Sequence, residues 1–290
     1  MAVGGAAIDV AIVTWNTRDT TIDAIKALLA TAPDEVRVLV RDNASTDGTA
    51  GAVAAAYPDA EIDAGAENLG FAGGVNTILR RSTAPWVLLL NPDAWPDPGA
   101  IERLLACAHR HPRAAVVAPR LLRPDGRLEP SAWPFPSLRV SLASALRNDR
   151  NIWPHDVERR VDWAVGAAWL LRREAIKAIG ELDDSLFMYA EDLEWCWRAH
   201  DAGWEVWFTP DAVVRHIGNV SGAQRFGPSQ PSAWIANSVA VYGRRHSPAA
   251  TSLWRRANAF SAAIHAYRAR RRGDTAGAEQ LRHQQRAWLA

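Results

Sequence analysis

The sequence predicts an α/β fold with a mostly parallel central sheet covered by helices, and three observations carry that prediction. Short apolar runs alternate with helical patterns through the first half of the chain. The runs are apolar almost throughout, as strands buried on both faces require. Each helical pattern opens near Asp, Gly or Pro, the residues that start helices. With 290 residues and 48% apolar content, the chain can fill one large core or two modest ones, because single cores stop growing near about 250 to 300 residues.

The elements follow in order. "IDVAIVTW" (8–15), "VRVLVRD" (36–42), a weak "AEID" (60–63), "WVLLLN" (86–91) and "AAVVAP" (114–119) read as strands. Between them "DTTIDAIKALLAT", "DGTAGAVAAAY", "FAGGVNTILRRS" and "PGAIERLLACAHRH" read as helices. A Pro-rich stretch, 119–154, then crosses the surface through a PDG turn. "VDWAVGAAWLLRREAIKAIG" resumes as strand and helix, and "FMYAEDLEWCWRAHDAGW" (187–204) is an acidic helix. "EVWFTP" and "AVVRHIG" supply two more short strands. The expected division is a main domain over 1–248 and a basic C-terminal helical appendage over 249–290.

Charge and cysteine usage narrow the function classes. The net charge is +1, which argues against a nucleic-acid-binding protein. The appendage holds eight arginines against two acids, a net +6, so the preceding 248 residues carry −5. Cys107 and Cys196 both fall inside predicted helices, which argues against a disulfide framework and fits a reducing compartment. No apolar run approaches the roughly 18 residues of a spanning helix, and Met1 leads into a strand without a basic leader, so a cytoplasmic protein is expected.

In open α/β sheets ligands bind beyond the carboxyl ends of the strands. Asn16, Asp42 and Asp93 follow the first, second and fourth strands and should meet at one edge. "ENLGFAGGVN" (67–76) opens a helix with small residues that let a phosphate or ribose approach backbone N–H groups, and it does not form a dinucleotide GxGxxG. Asp93 is the metal candidate, because Mg²⁺ and Mn²⁺ usually take one or two carboxylates plus substrate phosphates. His216 could add a nitrogen, which suits Mn²⁺ better. Glu191 and Asp192 open the acidic helix, where the macrodipole favours acids. Leu193, Cys196 and Trp197 read as its buried face, and Asp192 beside Trp195 suits a general base that meets a sugar hydroxyl.

Taken together, "VTWN", "DNASTDGT", "ENLGFAGGVN", "LLNPD", "VGAAWLLRREAI", "FMYAEDLEWCWRAHDAGW" and "VVRHIGNVSG" resemble glycosyltransferase family 2, inverting enzymes of GT-A fold, and its bacterial rhamnosyltransferase-like branch. The resemblance covers roughly 8–224. It implies that Asp42 pairs with a pyrimidine base near Thr14, Asn16 and Ser45, and that Asn68, Gly70, Phe71 and Asn76 line the nucleotide and sugar cleft. It implies a divalent metal, Mg²⁺ or Mn²⁺, at Asp93 with His216 as an additional ligand, and Asp192 as general base with Glu191 beside it. Asn91 stands where a full DxD motif has its first Asp. Trp163, Trp195 and Arg198 are assigned to the acceptor side. The implied donor is a nucleotide-diphosphate sugar, most simply dTDP-L-rhamnose, and the acceptor a sugar or lipid-linked hydroxyl.

Two rivals are weighed. A nucleotidyltransferase would want a Gly- and Arg-rich loop with Lys after the first strand, which "TWNTRDTT" lacks. A non-catalytic sugar-nucleotide-binding protein does not need Asp93 and Asp192 intact. The family resemblance extends to some relatives whose arginine-rich C-terminal segment is similar to 252–272 and which act on polyprenyl-diphosphate sugars at the membrane, and it implies a membrane role for this segment. Here Trp254, Phe260, Ile264 and Tyr267 recur at helical spacing among Arg255, Arg256, Arg268 and Arg270 to Arg272, a pattern that suits peripheral contact with an anionic membrane.

Overall fold

The computed structural model describes residues 7–33, 36–146, 154–218, 220–227 and 230–290. They group into two compact units, one of Met1–Trp133 and His155–Ser221, the other of Pro134–Pro154 and Gly222–Ala290. The second unit therefore takes in the latter part of the Pro-rich stretch, from Pro134, and 222–248 as well as the expected appendage.

The first unit runs β1 (Ile8–Thr14), α1 (Arg18–Thr31), β2 (Val36–Asp42), α2 (Thr49–Ala56), β3 (Glu61–Ala64), α3 (Gly70–Arg81), β4 (Trp86–Leu90), β5 (Ala94–Pro96), α4 (Ala100–Arg110), β6 (Ala114–Leu122), β7 (Leu128–Glu129) and β8 (Ala132–Trp133). After α5 (Leu138–Leu146), which belongs to the second unit, it resumes with β9 (Arg159–Val161), β10 (Trp163–Ala164), β11 (Ala168–Arg172), α6 (Arg173–Ile179), α7 (Glu191–Asp201) and β12 (Glu205–His216). The sheet order is β3-β2-β1-β4-β11-β6-β12-β5, with β7 added to β6 and β9 to β12. The run from β3 to β4 is parallel, as is β6 with β12, while β11 enters antiparallel to both its neighbours. β8 and β10 form a separate two-stranded ribbon.

Burial explains this layering. Ile8 through Val13 and Trp86 through Leu90 are buried throughout, so helices must cover both faces of the sheet. α1 buries Ala24, Ile25 and Leu28, and α4 buries Ile101, Leu104 and Ala108, one stripe each at helical period. At the edge of the sheet where β1 begins, buried Asp9 accepts from Arg37, from Ser82 Oγ and from the N–H groups of Thr83 and Ala84. Burial alone would raise this carboxyl, but those bonds outweigh it and hold it at about 2.

Two departures from the sequence expectation have clear causes. "EVWFTP" and "AVVRHIG" belong to one strand, β12, whose pairing with β6 shifts between Thr209 and Val213. Pro210 in that gap has no N–H to donate, and a bulge lets the strand continue past it. The Pro-rich stretch also holds β7, β8 and α5. Cys107 and Cys196 are free and buried, in accord with the expectation.

The second unit continues from α8 (Val220–Phe226) into α9 (Gln230–Gly243), α10 (Pro248–Arg271) and α11 (Thr275–Leu289). α10 packs on α5, α9 and α11. It starts at Ser247, whose hydroxyl accepts from Ala250 N–H, with Pro248 at the first helical position. Ala266, Ala269, Ala278 and Leu281 form the close contact of α10 with α11. Trp254 stacks on Tyr242 at 4.2 Å and meets Trp288 edge-on at 5.1 Å. It is only 4% exposed, so it is core and not part of the outer stripe. Leu253, Phe260 and Tyr267 are the large exposed groups of α10, and Arg255 and Arg268 bond the carbonyls of Trp288 and Ala145. No described helix is long and apolar enough to cross a membrane.

Candidate functional site

A chain of hydrogen bonds gathers the expected site residues along the carboxyl edge of the sheet. Asn43 N–H donates to Thr14 C=O at 2.9 Å and its side chain to Gly70 C=O at 2.8 Å, which ties the ends of β1 and β2 to the start of α3. Phe71 N–H donates to Phe187 C=O at 2.8 Å, which brings up the segment that opens α7. Gly70 has φ of 74°, and a Cβ there would collide with Phe187 C=O, so glycine is required at this junction. Gly166 N–H donates to Asp192 Oδ2 at 3.2 Å, and the neighbouring Ala167 C=O accepts from Asn91 N–H at 2.9 Å. Two adjacent residues thus couple the acid helix to the NPD loop.

The positive-φ residues other than glycine cluster here as well. Among the described residues they are Asn16, Ala44, Tyr189 and Ala190, at 51°, 61°, 77° and 70°. A left-handed conformation costs an ordinary residue about 1 to 2 kcal/mol, and such strain concentrates at functional sites. Tyr189 and Ala190 turn the chain sharply into α7, so its first-turn acids come directly after the bend.

The two acids have different surroundings. Asp192 is partly buried and accepts from Leu193 N–H at 2.7 Å as well as from Gly166. Burial raises its carboxyl to about 6 against the pull of those bonds. Glu191 is buried, its Oε2 has no partner, and burial followed by the charge of Asp192 pushes it well above the carboxylate range. Burial thus pushes both carboxyls up and leaves Asp192, at about 6, the more readily ionised of the two. A buried carboxylate poised near the working pH suits a general base.

A second cluster forms where β4 and β12 end. His216 Nε2 lies 3.5 Å from Asp93 Oδ1 and 3.4 Å from Asn91 Nδ2, while Nδ1 lies 3.1 Å from Glu129 Oε2. Asp93 and His216 are 4% and 5% exposed, and Asn91 Oδ1 is buried with no partner. Burial opposes a charge on His216, but hydrogen bonds to Asp93 and Glu129 outweigh it and push the imidazole up to about 9. A carboxylate, an imidazole nitrogen and an orphaned amide oxygen fit a divalent cation, since donors about 2.1 Å from one ion lie about 3 Å apart. Cys107, His111 and Glu158 also lie close enough together to hold a metal. There Glu158 already accepts from Arg110 and His111, so a cation would have to displace a guanidinium.

The remaining residues sit at the strand ends and on the loops and helix starts that follow them. Asp42 accepts from Ser45 N–H at 2.7 Å through Oδ1, and its buried Oδ2 has no partner, an open acceptor at the end of β2. Asn16 donates its N–H to Ser45 Oγ and accepts from Thr46 N–H, which knits the first two loops together. Asn68 accepts from Gly70 N–H at the start of α3. Phe71 and Gly166 approach each other beside Asp192.

Four of the assigned side chains are engaged within the fold. Thr14 spends its hydroxyl on Thr17 and Thr21, which fastens α1 to β1. Asn76 is buried and exchanges two hydrogen bonds with the backbone of Leu182, so it latches the segment leading to α7 and does not line a cleft. Trp195 is 0% exposed, with its indole N–H on Gly180 C=O. Arg198 is held by Glu194, Ile179 C=O and Glu181 C=O. Trp195 therefore has no surface to offer an acceptor, and the Arg198 guanidinium is committed to partners within the fold. Trp163 is half-buried on β10, opposite Trp133 of β8, with Ala132 and Ala164 buried as the adjacent pair. Glu129 escapes a sequence reading, because nothing local marks it, and Gly166 lies in "VGAAWLLRREAI" without a role assigned to it.

A family model described as glycosyl transferase family 2 matches residues 9–180. An N-acetylglucosaminyl-diphospho-decaprenol L-rhamnosyltransferase of Mycobacterium tuberculosis is 36% identical over 203 residues, 62% of this chain and 66% of that one. A pre-mycofactocin glycosyltransferase of the same species is 31% identical over 229 residues, 77% of this chain and 44% of that one. The chain thus aligns with just under two thirds of the first relative's length and less than half of the second's. In fold it is similar to a mannosyltransferase from Pyrobaculum calidifontis in complex with GDP-Man and Mn²⁺, with TM-score 0.62 at 18% identity over 98% of this chain and 85% of that one. GalNAc-T7 with UDP, GalNAc and Mn²⁺ gives TM-score 0.62 at 14% identity, covering 98% of this chain and 55% of that one. Both are GT-A structures, and the parallel β3-β2-β1-β4 run ending in polar loops is that fold. With the family model spanning more than half the sequence, the chain belongs to glycosyl transferase family 2.

Proposed function

We propose that the protein is an inverting glycosyltransferase that moves a sugar, L-rhamnose from dTDP-L-rhamnose, onto a hydroxyl of a glycan, a lipid-linked sugar or a small-molecule acceptor. The observation that carries this reading is Asp192: a carboxylate raised to about 6, fixed by two backbone N–H groups and tied through Gly166 and Ala167 to the loop of Asp93. Asp192 takes the proton of the acceptor hydroxyl as that oxygen attacks the anomeric carbon opposite the leaving diphosphate, so the configuration inverts. Asp93, His216 and the free oxygen of Asn91 would hold a divalent ion, which would offset the charge growing on the diphosphate. The rhamnosyl donor is supported by the name of the M. tuberculosis relative.

The test is ligand stabilisation. Asp42 Oδ2 can accept from the N3–H of thymine or uracil, so TDP and UDP should raise the melting temperature and GDP and ADP should not. A ligand at 100 times its Kd adds about 2.7 kcal/mol, enough to see the preference. Equal shifts with GDP and TDP would defeat the pyrimidine reading, and dTDP release from dTDP-L-rhamnose that needs an acceptor would support transfer.

The second unit fits peripheral contact with an anionic membrane on the cytoplasmic side. Leu253, Arg256, Phe260, Tyr267 and Arg271 share one exposed face of α10, with Phe260 58% and Tyr267 64% exposed, on a segment of net charge +6. Sedimentation with vesicles of anionic phospholipid should fall markedly for the triple variant Leu253→Ser, Phe260→Ser, Tyr267→Ser and at high salt. Sedimentation unchanged by either would remove the membrane from this reading.

A further inference from the structure

Glu129 stands outside every motif read from the sequence, yet it touches the imidazole proposed as a metal ligand. We propose that Glu129 is a positioning residue for a divalent cation, fixing the His216 ring so that its Nε2 faces the cation beside Asp93. The inference rests on the metal reading above and adds an outer layer to it.

The fold delivers Glu129 to this place by non-local pairing. The PDG turn closes with Gly126 N–H on Arg123 C=O and Arg127 N–H on Asp125 Oδ1. It folds β7 back on β6, where Glu129 pairs with Leu121. Leu121 pairs on its other side with Val214 of β12, two residues before His216. Three strands thereby bring Glu129 Oε2 to 3.1 Å from His216 Nδ1. Gly218, at a φ of 79° that side chains rarely adopt, turns the chain just past His216.

The two ring nitrogens make the roles unequal. Nδ1 faces Glu129, and Nε2 faces Asp93 and Asn91 from the other edge. An ion bound at Nε2 has the imidazole between itself and Glu129, so Glu129 acts on the ligand and not on the ion. With a cation in place of the Nε2 proton, donation of Nδ1–H to the Glu129 carboxylate would lock the ring plane and strengthen Nε2 as a donor. Such outer partners typically contribute 10- to 100-fold in metal affinity. A hairpin-stabilising pair would use the same contact but would leave metal affinity alone.

The experiment titrates Mn²⁺ into the full chain with saturating TDP and reads free Mn²⁺ by electron paramagnetic resonance. Glu129→Ala should weaken Mn²⁺ about 10- to 100-fold, with Glu129→Gln, which keeps an acceptor oxygen without the charge, in between. TDP affinity in EDTA should not change. In a His216→Ala background, Glu129→Ala should add no further loss, because its effect passes through the ring. Mn²⁺ affinity within about threefold of the parent in folded Glu129→Ala, or in Glu129→Gln should the alanine variant not fold, overturns the inference. A parent chain that binds TDP but no Mn²⁺ overturns it together with the metal reading and leaves the base assignment standing. A parent that binds neither overturns the donor reading as well.

Discussion

Asp192→Asn should abolish sugar transfer while leaving donor affinity within a few-fold of the parent. A sugar hydroxyl is a poor nucleophile at neutral pH, and a positioned base contributes about 10² to 10⁴ in rate. Asn keeps an acceptor oxygen for Gly166 or Leu193 N–H and cannot take the proton. It also removes the cost of burying a charge, which is what raises the Asp192 carboxyl, so the variant should melt no lower than the parent. The parent should lose kcat/KM as pH falls through about 6, because the base acts only when ionised. Donor binding should not follow that limb. Glu191→Gln separates the neighbours: Glu191 is buried and its carboxyl pushed up, so its amide should leave the acid limb in place. Near-normal turnover for Asp192→Asn with a collapse for Glu191→Gln would move the base by one residue and overturn the assignment.

Asp93→Ala should weaken diphosphate binding by at least about 100-fold in Mn²⁺ and by little in EDTA. Loss of the one carboxylate facing His216 Nε2 removes a direct ligand, which should exceed the 10- to 100-fold typical of an outer partner. Calorimetry of TDP with and without Mn²⁺ reads the difference. The same loss in both buffers would make Asp93 a structural acid that orders His216 and the backbone of Ile217, whose N–H it receives at 3.1 Å through its carbonyl.

The sequence by itself determined the layers and the active edge. Continuous apolar runs such as 86–90 can only be strands covered on both sides, and the polar residues that follow them fall where the sheet ends. The places of Asp42, Asp93 and Asp192 in the fold were legible because each sits at a fixed offset from a strand or helix end, a property of the local pattern. What faces what was not legible. A helical stripe shows that α7 has a buried side but does not say that α6 and β10 together enclose it, so Trp195 reads as a wall and folds as core. Thr14 and Asn76 carry the right polar groups in the right loops, and only the folded chain assigns them to Thr21 and Leu182. The insertion of β11 between β4 and β6, the passage of β12 through its bulge, and the meeting of Glu129 with His216 across 87 residues were likewise settled in three dimensions. Their physical reason is shared: hydrophobic period and capping are set within one or two turns of chain, whereas strand order and register depend on which distant partners satisfy the backbone and fill the core together.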